Sequence, residues 1–498
     1  MPGGYTFLDF YFLLPEIVLT GGLLLLLVID TILPRERQAW LAWFSLGVLG
    51  ATAVALTPFV GLAATAARGL VAVDGFALFF KVLFLGAAAV TILLSKQYLE
   101  VEGARPGEFY FLILCATLGM MFMAGGIDLV TLFVGLETMA VSFYVLTGFL
   151  KPNRRSNEAA IKYFVLGAFS LGILLYGMSL VYGLTGTTRL RDVALALGSD
   201  SAIGGEPASA ALRLAVILLV AGMAFKIAAV PFHMWAPDVY EGAPTPVTAF
   251  LSVGSKAASF AMLLRIFLEG LPIVSADWRA LFYTLAVLSM TVGNIAAITQ
   301  SNVKRMLAYS SIAHAGYLLI GVVAGTPRGI TAMLVYLMVY AFMQLGAFAI
   351  VALLRRQDVV GDEMKDFSGL FARAPWAGLA MLVFMLSLGG IPPTAGFMGK
   401  FWLFSAAIEA GYVWLALIGV LNSAVSLYYY LRVVVFMFMK DEVSASPLVP
   451  SPALAVAITI ALAGTIYLGI YPTALFDFAQ ASASTLGMAP SAPALTLR

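Results

Sequence analysis

Long apolar segments separated by short polar breaks run along almost the whole chain. A helix needs about 20 mostly apolar residues to cross the hydrocarbon core of a bilayer. Fourteen such windows can be counted between the breaks, so the pattern predicts an all-α, multi-pass membrane protein. The predicted spans are 11–33, 38–58, 74–98, 108–125, 128–150, 158–184, 211–235, 244–269, 278–298, 304–324, 329–354, 375–410, 412–439 and 453–472.

Two of these windows contain residues that interrupt a helix. Pro231 falls within the seventh window, and the sequence GGIPP at 389–393 divides the twelfth, which is too long for one straight span. Interrupted helices near the middle of the bilayer are the usual sequence signal for the ion site of a transporter. Five spans separate the two breaks, and an odd number of spans inverts a second copy, so we predict two inverted five-helix repeats with discontinuous helices seven and twelve.

This repeat divides the chain into four segments. We predict N-terminal helices 1–3 in 1–107, a first half with helices 4–8 in 108–270, a second, inverted half with helices 9–13 in 271–440, and helix 14 with a tail in 441–498. The connector 185–211 is rich in glycine, alanine and serine. It predicts an outside loop with a short surface helix around 191–198.

Composition agrees with a membrane location, since 62% of the residues are hydrophobic and 11% are charged, against about a quarter charged in soluble domains. The net charge of +2 gives no reason to expect a nucleic-acid partner.

The orientation in the membrane follows from the basic residues of the loops. Loops after odd-numbered spans carry fourteen lysines and arginines and the opposite loops carry seven. Because basic residues mark the cytoplasmic side, this bias predicts that both termini lie outside.

Once the basic residues near the span ends are counted with the loops, seven remain inside the predicted spans, where a central lysine costs about 2.5–3.5 kcal/mol on the insertion scale. Three of them are close enough to helix ends for the side chain to reach the headgroups, and three others lie deeper, beside glycines or prolines, where a function is expected. The first group is Lys81, Arg265 and Arg432, the second is Lys226, Lys256 and Lys400, and the seventh residue is Lys162.

Glu137 is a carboxylate in the middle of a span, in the run TLFVGLETMAVSFYVL. A lysine within about 4–6 Å would keep such a group ionised, so Glu137 is a candidate partner for one of the buried lysines. Lys226 and His233 are seven residues apart, about 10 Å along a regular helix, but Pro231 between them frees backbone groups that need a wet or protein-lined environment. Water is therefore expected to reach these side chains.

The residues around the first break carry a family resemblance. PFHMWAPDVYEGAPTPVTAFLSVGSKAASF resembles the signature of the antiporter-like membrane subunits of proton-pumping NADH:quinone oxidoreductase, respiratory complex I, and of the related Mrp-type cation/proton antiporters. Further similar stretches cover most of 105–440. They are GLETM around Glu137, NEAAIKYF around Lys162, NVKRMLAYSSIAHAGY from Asn302 and GGIPPTAGFMGKF from Gly389.

The resemblance implies roles for the matching residues. Glu137 and Lys226 would form the charge switch of a first half-channel, with Lys162 beside them as a modulator. Lys256 would lead toward the membrane centre with His233 as a hydrogen-bonding or titrating group, and Lys400 would serve the second half-channel and proton exit. His314 also matches, but a hydrogen-bonded interior histidine is an equally good interpretation, and it stays outside the core set.

Redox chemistry is not expected in this chain. The sequence holds one cysteine, Cys115, two histidines and no glycine-rich dinucleotide fingerprint after a strand, which argues against a disulfide, a metal site or a ligated cluster. The resemblance therefore implies that NADH, flavin, iron–sulfur clusters and quinone belong to partner subunits. The implied partners are neighbouring membrane subunits, the peripheral redox arm indirectly and the lipid of a bacterial inner membrane.

Three functions remain open at this point. The first is proton translocation driven by quinone reduction elsewhere in a complex, and the second is cation/proton antiport in an Mrp-type complex. The third is a quinone-binding subunit, for which 35 phenylalanines and 20 tyrosines offer only a weak signal, because aromatic residues are common in membrane helices.

Overall fold

The chain is a bundle of long helices in a computed structural model that describes residues 7–198, 206–356, 361–441, 448 and 450–487. The N-terminal segment holds α1 (Phe7–Phe12), α2 (Leu14–Ile32), α3 (Trp40–Leu56) and α4 (Gly75–Glu102). Two short antiparallel strands, β1 (Ala64–Ala66) and β2 (Val71–Val73), form a hairpin between α3 and α4 that the hydropathy pattern did not indicate.

The first half of the predicted repeat contains α5 (Pro106–Gly125), α6 (Leu129–Thr147), α7 (Arg154–Thr185), α8 (Leu190–Gly198), α9 (Glu206–Lys226), α10 (Trp235–Gly242), α11 (Thr245–Phe250) and α12 (Lys256–Leu264). The second half contains α13 (Ser275–Ile298), α14 (Val303–Ala324), α15 (Pro327–Leu354), α16 (Leu370–Arg373), α17 (Pro375–Gly389), α18 (Ala395–Glu409) and α19 (Val413–Met439). The chain continues with α20 (Pro452–Ile470) and α21 (Thr473–Ala483).

Within the described ranges, twelve helices are long and apolar enough to cross a membrane, so the count of fourteen is not confirmed by that criterion. The other two predicted spans fall where the structure divides a helix. The seventh becomes α9 and α10, separated by a non-helical stretch after Lys226, and the twelfth becomes α17 and α18, separated at 390–394. The two predicted discontinuities are therefore present.

The first two helices of each half meet through glycines. A Cβ on Gly119 of α5 would lie 2.5 Å from the backbone nitrogen of Met139 in α6, and a Cβ on Gly293 of α13 would lie 2.8 Å from that of Ala313 in α14. The absence of a side chain lets the backbones approach closely, as small residues do in membrane helix pairs. Each half thus opens with a pair of the same kind, as expected of a repeat.

The connector between α7 and α9 contains the predicted surface helix. It is α8, which turns Leu190, Val193 and Leu197 inward. The rest of the connector, at 199–205, lies outside the described residues.

Two basic residues that were expected to reach the headgroups are instead buried in ion pairs, so that interpretation is wrong. The Nζ of Lys81 in α4 lies 2.6 Å from Glu16 in α2, with both side chains buried. The guanidinium of Arg265 contacts Asp74 at 2.8 Å and Glu269 at 2.6 Å. Each cation stays inside because a carboxylate from a neighbouring part of the chain balances its charge.

We expect Lys81→Met to destabilise the bundle because it leaves the buried Glu16 carboxylate without its partner. Removing one member of a buried pair costs about 3–5 kcal/mol, whereas replacing both by apolar residues is often neutral. The measurement is the free energy of unfolding of the purified protein in detergent. The double variant Glu16→Leu/Lys81→Met should recover most of the loss and the exposed control Lys440→Met should lose nothing; a double variant as unstable as the single one would contradict the ion-pair account.

Candidate functional site

Lys226 lies at the point where the first broken helix stops. It is the last residue of α9 and its side chain is 4% exposed. Beyond it, the indole Nε1 of Trp235 donates to the carbonyl of Phe225 at 2.9 Å, and the backbone nitrogen of Val230 donates to Ser289 Oγ at 2.9 Å. These bonds satisfy polar backbone groups that the break releases, which is what allows a helix to end inside the bundle.

Glu137 lies in α6 and is half-buried, and its carboxylate is close enough to Lys226 for the two charges to interact. The two charges form no ion pair within 4.0 Å among the described residues. Glu137 Oε1 and Lys226 Nζ are both buried, and neither has a hydrogen-bond partner in the described part of the chain. The ammonium lies 5.9 Å from the ring centroid of Tyr144. The carboxylate of Glu137 and the ammonium of Lys226 are therefore both buried but not in direct contact.

An aromatic series leads from this pair toward the middle of the protein. Tyr144 meets Tyr163 edge to face with centroids 4.7 Å apart, and Tyr163 stacks on Trp235 at 4.6 Å. Trp235 in turn contacts Tyr240 at 6.3 Å, and the Tyr240 hydroxyl lies 3.4 Å from Ser311 Oγ. The series ends at the serine that binds Lys256.

Lys256 is buried and begins α12, directly after a π-helical turn at Leu251–Ser255. Its Nζ donates to the backbone carbonyl of Ser311 and, at 2.5 Å, to Ser311 Oγ. Ser311 Oγ also accepts a bond from Tyr340 at 2.9 Å. Insertion of an extra residue into a helical turn often marks a functional site, and here it precedes the lysine whose side chain reaches α14.

His314 lies one turn further along α14 and is buried. Its Nδ1 is 2.6 Å from the hydroxyl of Tyr336 and its Nε2 is 3.1 Å from that of Tyr430. Its ring centroid is 5.1 Å from Tyr340, which Lys256 faces, and 5.7 Å from Tyr317, which Lys400 faces. The histidine thus lies between the two lysines, with both ring nitrogens in hydrogen bonds.

Lys400 lies in α18, just after the second break, and is buried. Its Nζ donates to the carbonyls of Leu388 and Gly389, both at 3.0 Å, and to Ser423 Oγ at 2.9 Å. It also lies 4.9 Å from the Tyr317 ring centroid. The two carbonyls belong to the last turn of α17, where helix carbonyls lack intrahelical partners and the helix dipole is negative. The broken helix therefore supplies the acceptors for its own lysine.

Two of the expected site residues lie apart from this series. Lys162 is 42% exposed, at the start of α7, and pairs with Glu158 at 2.8 Å and Asp238 at 2.7 Å rather than with Glu137. His233 lies in the first break, half-buried, and its Nδ1 is buried without a hydrogen-bond partner in the described part of the chain. The structure brings neither of them into contact with Lys226.

The hydroxyl groups that lie between the buried lysines were not predicted from the sequence. These are serines and tyrosines whose side chains look ordinary in an apolar helix, and only the order YSSIAHAGY in α14 places hydroxyls and an imidazole at successive turns.

Arg432, the third basic residue expected to reach the headgroups, donates to the carbonyls of Ile298 and Gln300 at 3.1 and 3.2 Å.

The broken helices and the buried lysines between them define an antiporter-like membrane protein. Residues 126–426 match the family described as NADH:quinone oxidoreductase/Mrp antiporter, transmembrane. The chain belongs to this family.

Particular relatives align over nearly the whole chain. NADH-quinone oxidoreductase subunit N of Trichlorobacter lovleyi is 49% identical over 94% of this chain and 96% of its own length. NADH-quinone oxidoreductase subunit N 1 of Koribacter versatilis is 48% identical over 93% of both chains.

Solved structures show the same fold. A chain of respiratory complex I from Thermus thermophilus with bound aureothin superposes with a TM-score of 0.78 at 34% identity, covering 93% of this chain and 98% of its own. A chain of the Mrp complex from Dietzia gives a TM-score of 0.83 at 22% identity, over 97% and 98%. The second likeness concerns the fold alone.

We expect Gly396→Ala to disturb the second break. A Cβ at this position would lie 1.8 Å from the carbonyl oxygen of Ser387, which no side-chain movement can relieve. The two half-helices would have to separate, and this should lower the midpoint of thermal unfolding by several degrees. The control is Gly86→Ala, also in a helix but with open space around the added Cβ, where alanine should be neutral or slightly stabilising. Equal midpoints for the two variants would contradict this account.

Proposed function

We propose that the chain is the proton-translocating subunit N of NADH:quinone oxidoreductase in a bacterial inner membrane, with both termini on the periplasmic side. The observation that carries the proposal is the series of buried groups between the two broken helices, from Lys226 through Lys256 and His314 to Lys400. Three ammonium-bearing side chains within one bundle are too costly to keep as simple packing, because each destabilises the inserted helix by about 2.5–3.5 kcal/mol. A path for protons explains all of them.

The separated pair of Glu137 and Lys226 provides the switch. When the carboxylate approaches, it stabilises the ammonium form and the lysine takes up a proton; when it withdraws, the lysine releases the proton toward Lys256. Two unit charges 4 Å apart interact by about 4 kcal/mol at an effective dielectric constant of 20. Moving one charge against a 100 mV potential costs about 2.3 kcal/mol. Making and breaking one ion pair is therefore sufficient to drive the step.

The work that moves the carboxylate comes from quinone reduction in partner subunits, which hold NADH, flavin, iron–sulfur clusters and quinone. Adjoining membrane subunits transmit it to this chain, which acts on protons alone. Antiport of cations in an Mrp-type complex is the alternative. The near-full-length identity to subunit N relatives favours the first assignment, since the Mrp likeness concerns the fold alone.

The first test replaces either member of the switch, with Lys226→Met and Glu137→Gln in the assembled complex. We expect the complex to assemble. The number of protons moved per electron should fall by the number that this subunit contributes, because Lys226 can no longer take up and release a proton. The measurement is proton uptake by inverted membrane vesicles, divided by the rate of NADH oxidation.

Lys151→Met is the matched control, since Lys151 is exposed in the loop after α6. It should leave the ratio unchanged. A wild-type ratio in both Lys226→Met and Glu137→Gln would reject the switch.

A second test concerns His314. We expect His314→Phe to lower the ratio as far as Lys226→Met does, because the proton can no longer pass between Lys256 and Lys400 through a ring nitrogen. His314→Gln distinguishes proton transfer from structural support of the tyrosines. The amide can hydrogen-bond to both tyrosine hydroxyls, but it cannot take up and release a proton. Full recovery of pumping with glutamine would show that the histidine only supports the tyrosines.

A further inference from the structure

A buried lysine outside the series lies at the base of a cavity that opens on the basic side of the protein. Lys304, in the first turn of α14, is 4% exposed, although the polar break before it made it look like a loop residue. Its Nζ donates to the carbonyl of Ala243 at 2.6 Å. None of the roles assigned above uses this lysine.

The cavity holds about 290 Å³ and is lined mainly by polar and charged side chains. Its rim is formed by exposed residues of the loop before α7 and of the first turn of that helix, Asn153, Arg154 and Arg155. Its base is buried and includes Lys304, Tyr98 and Thr245. A polar cavity of this size can hold several water molecules.

Charged groups from four elements face Lys304 across this cavity. They are Glu102 at the end of α4, Arg154 and Arg155 in α7, Glu241 in α10, and Arg355 and Asp362 in the connection after α15. Glu102 and Arg355 pair at 2.6 Å. The segment with Asp362 is fixed to the start of α14, because the Val303 nitrogen donates to the Asp362 carbonyl at 2.7 Å. These two contacts hold the Glu102–Arg355 pair together and the backbone of Asp362 beside the start of α14.

A second cavity adjoins the first and shares Arg155, Glu241 and Gly242 with it. This cavity of about 230 Å³ contains the cluster of Lys162, Asp238 and Arg305, in which Arg305 contacts Asp238 at 2.7 Å. Lys162, which the resemblance placed beside Glu137, thus belongs to the same polar surface as the route to Lys304.

Lys304 lies on the same helix as Ser311, which binds Lys256 of the buried series. Lys304 and Ser311 are seven residues apart on α14, so they share a face of the helix about 10 Å apart along its axis. Ser311 binds Lys256 and lies beside the Tyr240 hydroxyl, and Tyr240 belongs to the same short helix whose end Lys304 holds at Ala243. Lys304 therefore lies on the same face of α14 as the serine that binds Lys256.

We propose that this cavity is the proton uptake path for Lys256 and that Lys304 is the group that receives the proton from water at its base. The inference rests on the proposed function, since it assigns the source of the protons that the buried series moves. The alternative role of Lys304, closing the end of α10 through Ala243, requires a charged donor but no exchange of its proton.

The experiment compares Lys304→Arg, Lys304→Met and Lys304→His in the assembled complex, with Lys226→Met as benchmark and Lys151→Arg as control. Arginine keeps the charge and can donate to Ala243, but its guanidinium does not give up a proton at physiological pH. Histidine binds and releases a proton near neutral pH. The readout is again the number of protons moved per electron in inverted vesicles.

We expect Lys304→Arg and Lys304→Met to reduce the ratio to the level of Lys226→Met, Lys304→His to recover at least half of the loss, and Lys151→Arg to match the wild type. A wild-type ratio for Lys304→Arg, or histidine no better than arginine, would overturn the uptake role and leave Lys304 as a helix-closing residue. If Lys226→Met also keeps the wild-type ratio, the proposed function itself fails. Failure of methionine to assemble does not affect the comparison of arginine with histidine.

Discussion

The cost of an ammonium group inside a lipid-embedded bundle is the constraint on which the rest of this structure depends. Such a group needs oxygen acceptors, yet a regular helix uses all of its interior carbonyls for its own ladder. Each lysine of the series lies where that ladder is disturbed. Lys226 ends α9, Lys256 follows a π-helical turn, and Lys400 binds two carbonyls at the end of α17. Only Lys400 takes acceptors from its own broken helix, because Lys256 finds them on Ser311 in α14 and Lys226 has none among the described residues.

The three lysines are not equivalent in their hydrogen bonds. Lys400 has three hydrogen-bond acceptors, and Lys256 has two on Ser311. Lys226 has none among the described residues. In the proposed function, this difference makes Lys226 the switch and Lys256 and Lys400 the sites that hold the proton.

Hydropathy predicted the spans, and prolines and glycines predicted both breaks, because these features are local and their physical consequences do not depend on the rest of the fold. The same reasoning failed for Lys81 and Arg265. Their partners, Glu16 and Asp74, lie on other helices or at a distant helix end, and no pattern along one helix reports a contact of that kind. Lys304 was missed because its sequence context suggested an exposed loop residue. It follows a polar break and looked like a loop cation, but the loop after α15 folds over it.

His314 shows where sequence alone leaves two interpretations equal. A buried imidazole with both nitrogens bonded is what a structural histidine requires, and the distances to Tyr336 and Tyr430 satisfy that requirement. The same two bonds make the ring a continuous link, because an imidazole can accept a proton on one nitrogen and release it from the other. Its location makes it a candidate for the proposed proton path, since it lies between Tyr340, which faces Lys256, and Tyr317, which faces Lys400.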